Sequence, residues 1–125
     1  MIEPIATNKA PAAIGPYAQA VSAGQFVFTS GQIPLRPDGS FVDGSIEEQV
    51  AQVLTNLDAV LEAAGCQRSD VVKATIFMTN LADFDKVNQA YGAFFGDHRP
   101  ARSTIQVAGL PKGAQVEIEL VVVKP

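Results

Sequence analysis

The chain has 125 residues and a formal net charge of −4, with 47% hydrophobic and 18% charged residues. That length suits one domain, residues 1–125, whose core needs no metal or disulfide, and the apolar share excludes disorder. An acidic balance argues against a nucleic-acid binder, which carries a basic patch.

Met1 to Lys9 lacks the basic-then-apolar pattern of a signal peptide. Ala10 to Tyr17 holds Pro11, Gly15 and Pro16 and reads as extended or turn-like. Ala18 to Ser22 reads as a short strand, paired through an Ala23-Gly24 turn with a second strand over Gly24 to Ser30, rich in aromatic and β-branched residues. Gln32 to Gly44 carries Pro34, Pro37-Asp38-Gly39 and Asp43-Gly44 and reads as loop. Ser45 and Glu48 form a capping box that opens a helix. Its apolar face is Ile46, Val50, Val53, Leu54, Leu57, Val60 and Leu61, and Gly65 stops it. Val71 to Thr79 is a strand, and Asp83 to Phe95 a second amphipathic helix with Phe84, Val87, Tyr91, Phe94 and Phe95 inward. Arg102 to Ala108 and Gln115 to Val123 close the chain as two more strands.

No apolar run approaches the ~20 residues that cross a bilayer, so a cytoplasmic protein is expected. The element order predicts an α/β (α+β) fold: one mixed sheet with two helices on one face. In the last strand Val116, Ile118, Leu120 and Val122 alternate with Glu117, Glu119, Val121 and Val123. In the strand before it, Ser103, Ile105 and Val107 alternate with Arg102, Thr104 and Gln106. If the more apolar set of each strand meets the helices, the other face is mixed. Val121 and Val123 on that face point to burial against another subunit.

Few residues carry chemistry. Cys66 and His98 stand alone of their kind, which excludes an intrachain disulfide and the roughly four N/S ligands of a structural zinc site. Cys66 has no neighbouring base, and His98 reads as a solvated loop residue. No phosphate-binding glycine loop is present and no cofactor is indicated. Arg102 offers a fixed, charged fork that grips a carboxylate; the plainer reading is a surface arginine or an ion pair with Glu117 or Glu119. Glu117 and Glu119 share a pleat face, so repulsion can raise one pKa and leave a carboxylate able to orient water; the plainer reading is an edge strand guarded by charge. Gly109 to Gly113 either makes the last two strands a hairpin or carries the chain across the sheet. Asn88, on the inner stripe of the second helix, needs a partner. Tyr17, Ser30 and Gly31 fall at loop–strand junctions, where sites are often built.

Ile14-Gly15-Pro16-Tyr17-Ala18-Gln19-Ala20 and Phe28-Thr29-Ser30-Gly31-Gln32-Ile33-Pro34 resemble the opening signatures of the RidA (YjgF/YER057c/UK114) family. Gln49 through Leu57, Val72 to Phe77, Arg99 to Thr104, Leu110-Pro111 and Val116 to Glu119 follow in the family's order. The resemblance implies a chorismate-mutase-like fold, a homotrimer and sites in clefts between subunits. It implies hydrolysis of 2-aminoacrylate-type enamines and 2-imino acids such as 2-iminobutanoate and 2-iminopropanoate to 2-keto acids and ammonia, a form of metabolite damage control. By the same resemblance Arg102 binds the substrate carboxylate, Glu117 orients the water, and Tyr17, Ser30, Gly31 and Asn88 line the cleft. Thr104 stands where many members have Cys, which removes a thiol but leaves the backbone. Other readings are a non-catalytic trimer that binds small carboxylates, and the chaperone or ribonuclease activity attributed to some relatives.

Overall fold

The computed structural model describes residues 1–125. Six strands form one sheet: β1 (Ile2–Ile5), β2 (Ala20–Ala23), β3 (Phe26–Thr29), β4 (Val71–Met78), β5 (Ala101–Gln106) and β6 (Val116–Val123). Two helices, α1 (Ile46–Ala63) and α2 (Phe84–Phe95), pack on one face. The strand order is β1-β2-β3-β6-β4-β5. All pairs are antiparallel except β4–β5, which is parallel. The sheet is therefore mixed, as the element order predicts. β1 is an element the sequence reading lacks: it is short, exposed and carries Pro4, which suits an edge.

The first helix begins and ends where its residues require. Ser45 accepts from the Glu48 backbone N–H, and the Glu48 carboxylate accepts in return from the Ser45 N–H. Gly65 takes the left-handed conformation (φ 72°) that ends α1 without steric cost. α1 buries Val50, Val53, Leu57, Val60 and Leu61, and α2 buries Val87, Tyr91 and Phe95. Phe84 and Phe94, expected inward, are only half-buried. From the sheet, Val27, Ala74, Ile76, Met78, Val116, Ile118, Leu120 and Val122 complete one contiguous core.

Two buried amides on α1 hold the proline-rich loop onto the core. Gln49 donates to Val42 O (3.0 Å) and accepts from Gln115 N–H (2.9 Å). Asn56 donates to Leu35 O (2.8 Å). Each satisfies loop carbonyls that would otherwise be buried without partners.

The sheet's other face carries no helix. Phe26 and Phe28, 46% and 43% exposed, stand on it beside the half-buried Val121 and Val123. Phe77 and Glu117 share it further along, at paired positions of β4 and β6. The mixed face expected from β6 is thus present, and it is open in the single chain.

Candidate active site

The parallel register of β5 decides where Arg102 points. Arg102 pairs with Ala74 and Thr104 with Ile76, both residues of the core. Arg102 and Thr104 therefore lie on the helix-bearing face, and Ser103 and Ile105 on the open one. This reverses the expected facing of the strand. The apolar-side-inward rule fails because β5 is an outermost strand, and its arginine is taken up by the flank of α2, on Asn88 and two aromatic rings.

That flank receives the arginine. The Arg102 Nη1 donates to Asn88 Oδ1 at 2.6 Å. Its guanidinium carbon sits 4.9 Å from the Tyr91 ring centroid and 5.5 Å from that of Phe84. Phe84, Asn88 and Tyr91 are spaced four and three apart on α2, so they present one surface. Asn88 is exposed, not a buried amide as its place in the stripe suggests, and Arg102 is the partner it needs. No carboxylate pairs with Arg102, which removes the ion-pair reading. Asn88, Tyr91, Gly92, Arg99, Pro100 and Arg102 line a pocket of about 440 Å³.

Glu117 builds a second pocket elsewhere. The bridge between Gln32 and Ile118 (N–H to O, 2.9 and 3.2 Å) sets Gly31 beside Glu117. A Cβ on Gly31 would lie 2.6 Å from Glu117 Oε2, so only glycine lets this carboxylate rest there. Burial, and after it the charge of Glu119, pushes the Glu117 pKa above the ordinary value of 4.5. Repulsion between the two acids is thus the secondary cause. Ser30 donates from Oγ to Ala18 O (2.6 Å) and from its N–H to Gln19 O (2.9 Å), which fixes the start of this segment. Tyr17, 53% exposed, accepts from Ile14 N–H through its hydroxyl at 3.3 Å. Tyr17, Ser30, Gly31, Lys112 and Glu117 line a pocket of about 500 Å³.

The expected site residues thus fall into two groups that one chain does not unite. Arg102 and Asn88 stand together, with Thr104 further along the same side of β5. Tyr17, Ser30, Gly31 and Glu117 stand together on the other side of the sheet, with β4 between β5 and β6. The Gly109–Gly113 connector crosses the sheet instead of making a hairpin.

Three lining residues lie outside the sequence expectations. Tyr91 counts as core by its helical spacing and is 6% exposed, yet its hydroxyl has no hydrogen-bond partner. Leaving such a group unpaired costs about 1–3 kcal/mol. Arg99 opens the family-like run Arg99 to Thr104, but the resemblance assigns it no role of its own. Lys112 adopts φ 58°, a left-handed conformation unusual for a side-chain-bearing residue, in a connector whose path the sequence left open. Outside both pockets, Cys66 is buried, and burial pushes its thiol pKa up. His98 is half-buried and pairs through Nε2 with Val71 O at 2.7 Å, so it is not the solvated residue expected. No group of three His, Cys, Asp or Glu side chains is placed to hold a metal ion. No helix is long and apolar enough to cross a membrane.

A family model described as Endoribonuclease L-PSP matches residues 7–124. The 2-iminobutanoate/2-iminopropanoate deaminase of Escherichia coli K12 is 47% identical over 127 aligned positions, covering 99% of each chain. A RutC family protein of Pyrococcus horikoshii is 46% identical over 99% of each. Among solved structures, the E. coli YjgF gene product has a TM-score of 0.93 at 46% identity, covering 98% of this chain and 99% of that one. E. coli TdcF with bound serine has a TM-score of 0.93 at 43% identity, with the same coverage. With a family model spanning nearly the whole chain, a relative close to half identical over its full length and the same fold in solved structures, the chain belongs to the YjgF/RidA family.

Proposed function

We propose that the protein hydrolyses small 2-imino acids, and the 2-aminoacrylate-type enamines that tautomerise to them, to 2-keto acids and ammonia. 2-Iminobutanoate and 2-iminopropanoate are the substrates that the named E. coli relative supports. The active unit is a homotrimer, and each site takes its arginine pocket from one subunit and its glutamate pocket from the next. The observation that carries this reading is the division itself. Arg102 has a free guanidinium fork on one side of the sheet, and Glu117 has a carboxylate of raised pKa on the other. A second copy laid on the open face brings such halves together, and Phe26, Phe28 and Val121 supply apolar surface for it.

The reaction asks little of the site. Arg102 grips the α-carboxylate while Asn88 and the Tyr91 ring hold the guanidinium. The iminium carbon is already electrophilic. Glu117, ionised, accepts a proton as water adds to that carbon, giving a tetrahedral carbinolamine. The proton then passes to the amino group, and the C–N bond breaks as the hydroxyl gives its proton back to Glu117, releasing ammonia and the keto acid. Orientation and proton transfer of this kind supply roughly 10²–10⁴-fold. Thr104 in place of a cysteine leaves each of these steps intact. The serine held by the related E. coli TdcF also carries an α-carboxylate, the group assigned to Arg102.

The test is a coupled assay in which a dehydratase generates 2-iminobutanoate in situ. The protein is expected to speed its loss catalytically, and Arg102→Ala to remove the effect while the oligomer persists. Stoichiometric binding without turnover favours the carboxylate-binding trimer instead. Aggregation suppression that survives Arg102→Ala favours the chaperone reading, and RNA cleavage with steep salt dependence the ribonuclease one.

A further inference from the structure

The arginine pocket holds more positive charge than one carboxylate requires. The chain is acidic overall, yet two of its arginines, Arg99 and Arg102, line this one pocket, and no Asp or Glu of the same chain lines it with them. Neither arginine takes part in an ion pair elsewhere. Both guanidinium groups are also tethered at one end only. Arg99 Nη1 donates to the carbonyls of Gly96 and His98 at the end of α2. Arg102 Nη1 donates to Asn88. A guanidinium has five N–H donors in a fixed plane, so each keeps its Nε–H and Nη2–H edge free. That edge is the one that meets a carboxylate with two parallel hydrogen bonds.

A separate observation points to a ligand here. The Tyr91 hydroxyl, on a side chain 94% buried by its 6% exposure, has no partner, and both arginines act on it electrostatically. Burial keeps the phenol protonated, so it stands as an unpaired donor closed into the wall of a pocket whose two charged groups are both donors. A pocket of about 440 Å³ furnished in this way fits an acceptor-rich, doubly anionic guest.

We propose that the arginine pocket binds two carboxylates, Arg102 taking the α-carboxylate and Arg99 one on the substrate side chain, so that the site prefers dicarboxylic 2-imino and 2-keto acids over monocarboxylic ones. This rests on the reading of Arg102 given above. It extends that reading from the reacting end of the substrate to the other end.

Calorimetric titration of the oligomer with 2-oxoglutarate and with 2-oxobutanoate tests it directly. Wild type is expected to bind 2-oxoglutarate about tenfold more tightly, an advantage that shrinks as salt screens the second pair. Arg99→Gln is expected to collapse the ratio of the two affinities toward one. Arg99→Lys keeps the charge without the fork and is expected to retain part of the ratio. Equal affinities in the wild type overturn the proposal, as does a ratio that survives in folded Arg99→Gln. Failure of the deaminase reaction is read separately: the coupled assay with 2-iminobutanoate tests the chemistry, whereas keto-acid titration tests the pocket whether or not turnover occurs.

Discussion

The arginine pocket and the glutamate pocket are built on opposite principles. Arg102 sits on an outermost strand and reaches an exposed helix flank, where its position depends on one hydrogen bond and two aromatic rings. Glu117 sits on an interior strand whose alternate residues, Val116 and Ile118, are fully buried. Its carboxylate lies against backbone, at a glycine that leaves no slack. The first is suited to gripping substrates that differ in shape, because long side chains can adjust. The second is suited to holding one oxygen where a water must be, because backbone and sheet cannot adjust. On the proposed function, their placement on opposite sides of one sheet leaves each chain incomplete by itself.

Mixing two inactive variants breaks or confirms that incompleteness, and it carries the largest expected effect. Arg102→Ala and Glu117→Gln are each expected to lose about 10²-fold or more in kcat/KM, since on the proposed function each removes a charged group that meets the substrate or its water. When the two are co-refolded, some sites draw an intact Arg102 from one chain and an intact Glu117 from its neighbour. Activity is then expected to return to about a quarter of wild type for random mixing in a closed ring. No recovery in mixed oligomers means that the halves do not meet between subunits.

Gly31→Ala sharpens the contrast between the rigid and the adjustable pocket. The added methyl would stand 2.6 Å from Glu117 Oε2 and 2.9 Å from its Cγ. Backbone pinned by the Gln32–Ile118 bridge has little room to retreat, so the carboxylate moves instead. A displacement of that size is expected to cut kcat by on the order of 10²-fold while KM changes little. A comparable change beside Arg102, such as Phe84→Leu, is expected to raise KM severalfold and spare kcat. Steady-state kinetics on the two variants separates the cases.

Much of this contrast was legible from residues, and the remainder was hidden for identifiable reasons. A capping box marked the first helix, and apolar spacing marked both. Alternation marked the last strand, including which of its faces is mixed, because β6 has helices on one side and nothing on the other. The same argument inverted β5, since an edge strand has no apolar layer to enforce its facing. Asn88 and Tyr91 were both assigned to the inward stripe of α2. Spacing alone cannot show that the stripe's edge overhangs an arginine contributed by a parallel strand. The crossing of the Gly109–Gly113 connector depends on β6 pairing with β3 and β4, a long-range choice invisible in local pattern. The separation of Arg102 from Glu117 follows from that choice.

Glu117 also opposes function to stability, through a charge that titrates. Its folded pKa is raised, so the folded chain holds this proton more tightly than the unfolded chain does. The stabilisation is present below the ordinary Glu value of 4.5 and is lost as pH rises through the raised value. At neutral pH the ionised, half-buried carboxylate is therefore a cost. Glu117→Gln is expected to raise Tm at pH 7 and to leave it unchanged well below 4.5, while activity is lost at both. Thermal melts across that range read the difference, and a lower Tm at pH 7 contradicts it.

The smallest effect belongs to Glu119, which touches the chemistry only through its charge. The proposed hydrolysis needs Glu117 ionised, so kcat/KM is expected to fall as pH drops through its raised pKa. Burial is the main cause of that shift and Glu119 the lesser one. Glu119→Gln removes the lesser cause alone. The acid limb of the pH profile is then expected to move toward lower pH with its plateau rate unchanged, because Glu119 is exposed and the burial of Glu117 persists. High salt is expected to mimic the substitution in wild type and to add little in the variant, since it screens the same charge. An acid limb that ignores both Glu119→Gln and salt assigns the titration to a group other than Glu117, and with it the role of positioning water.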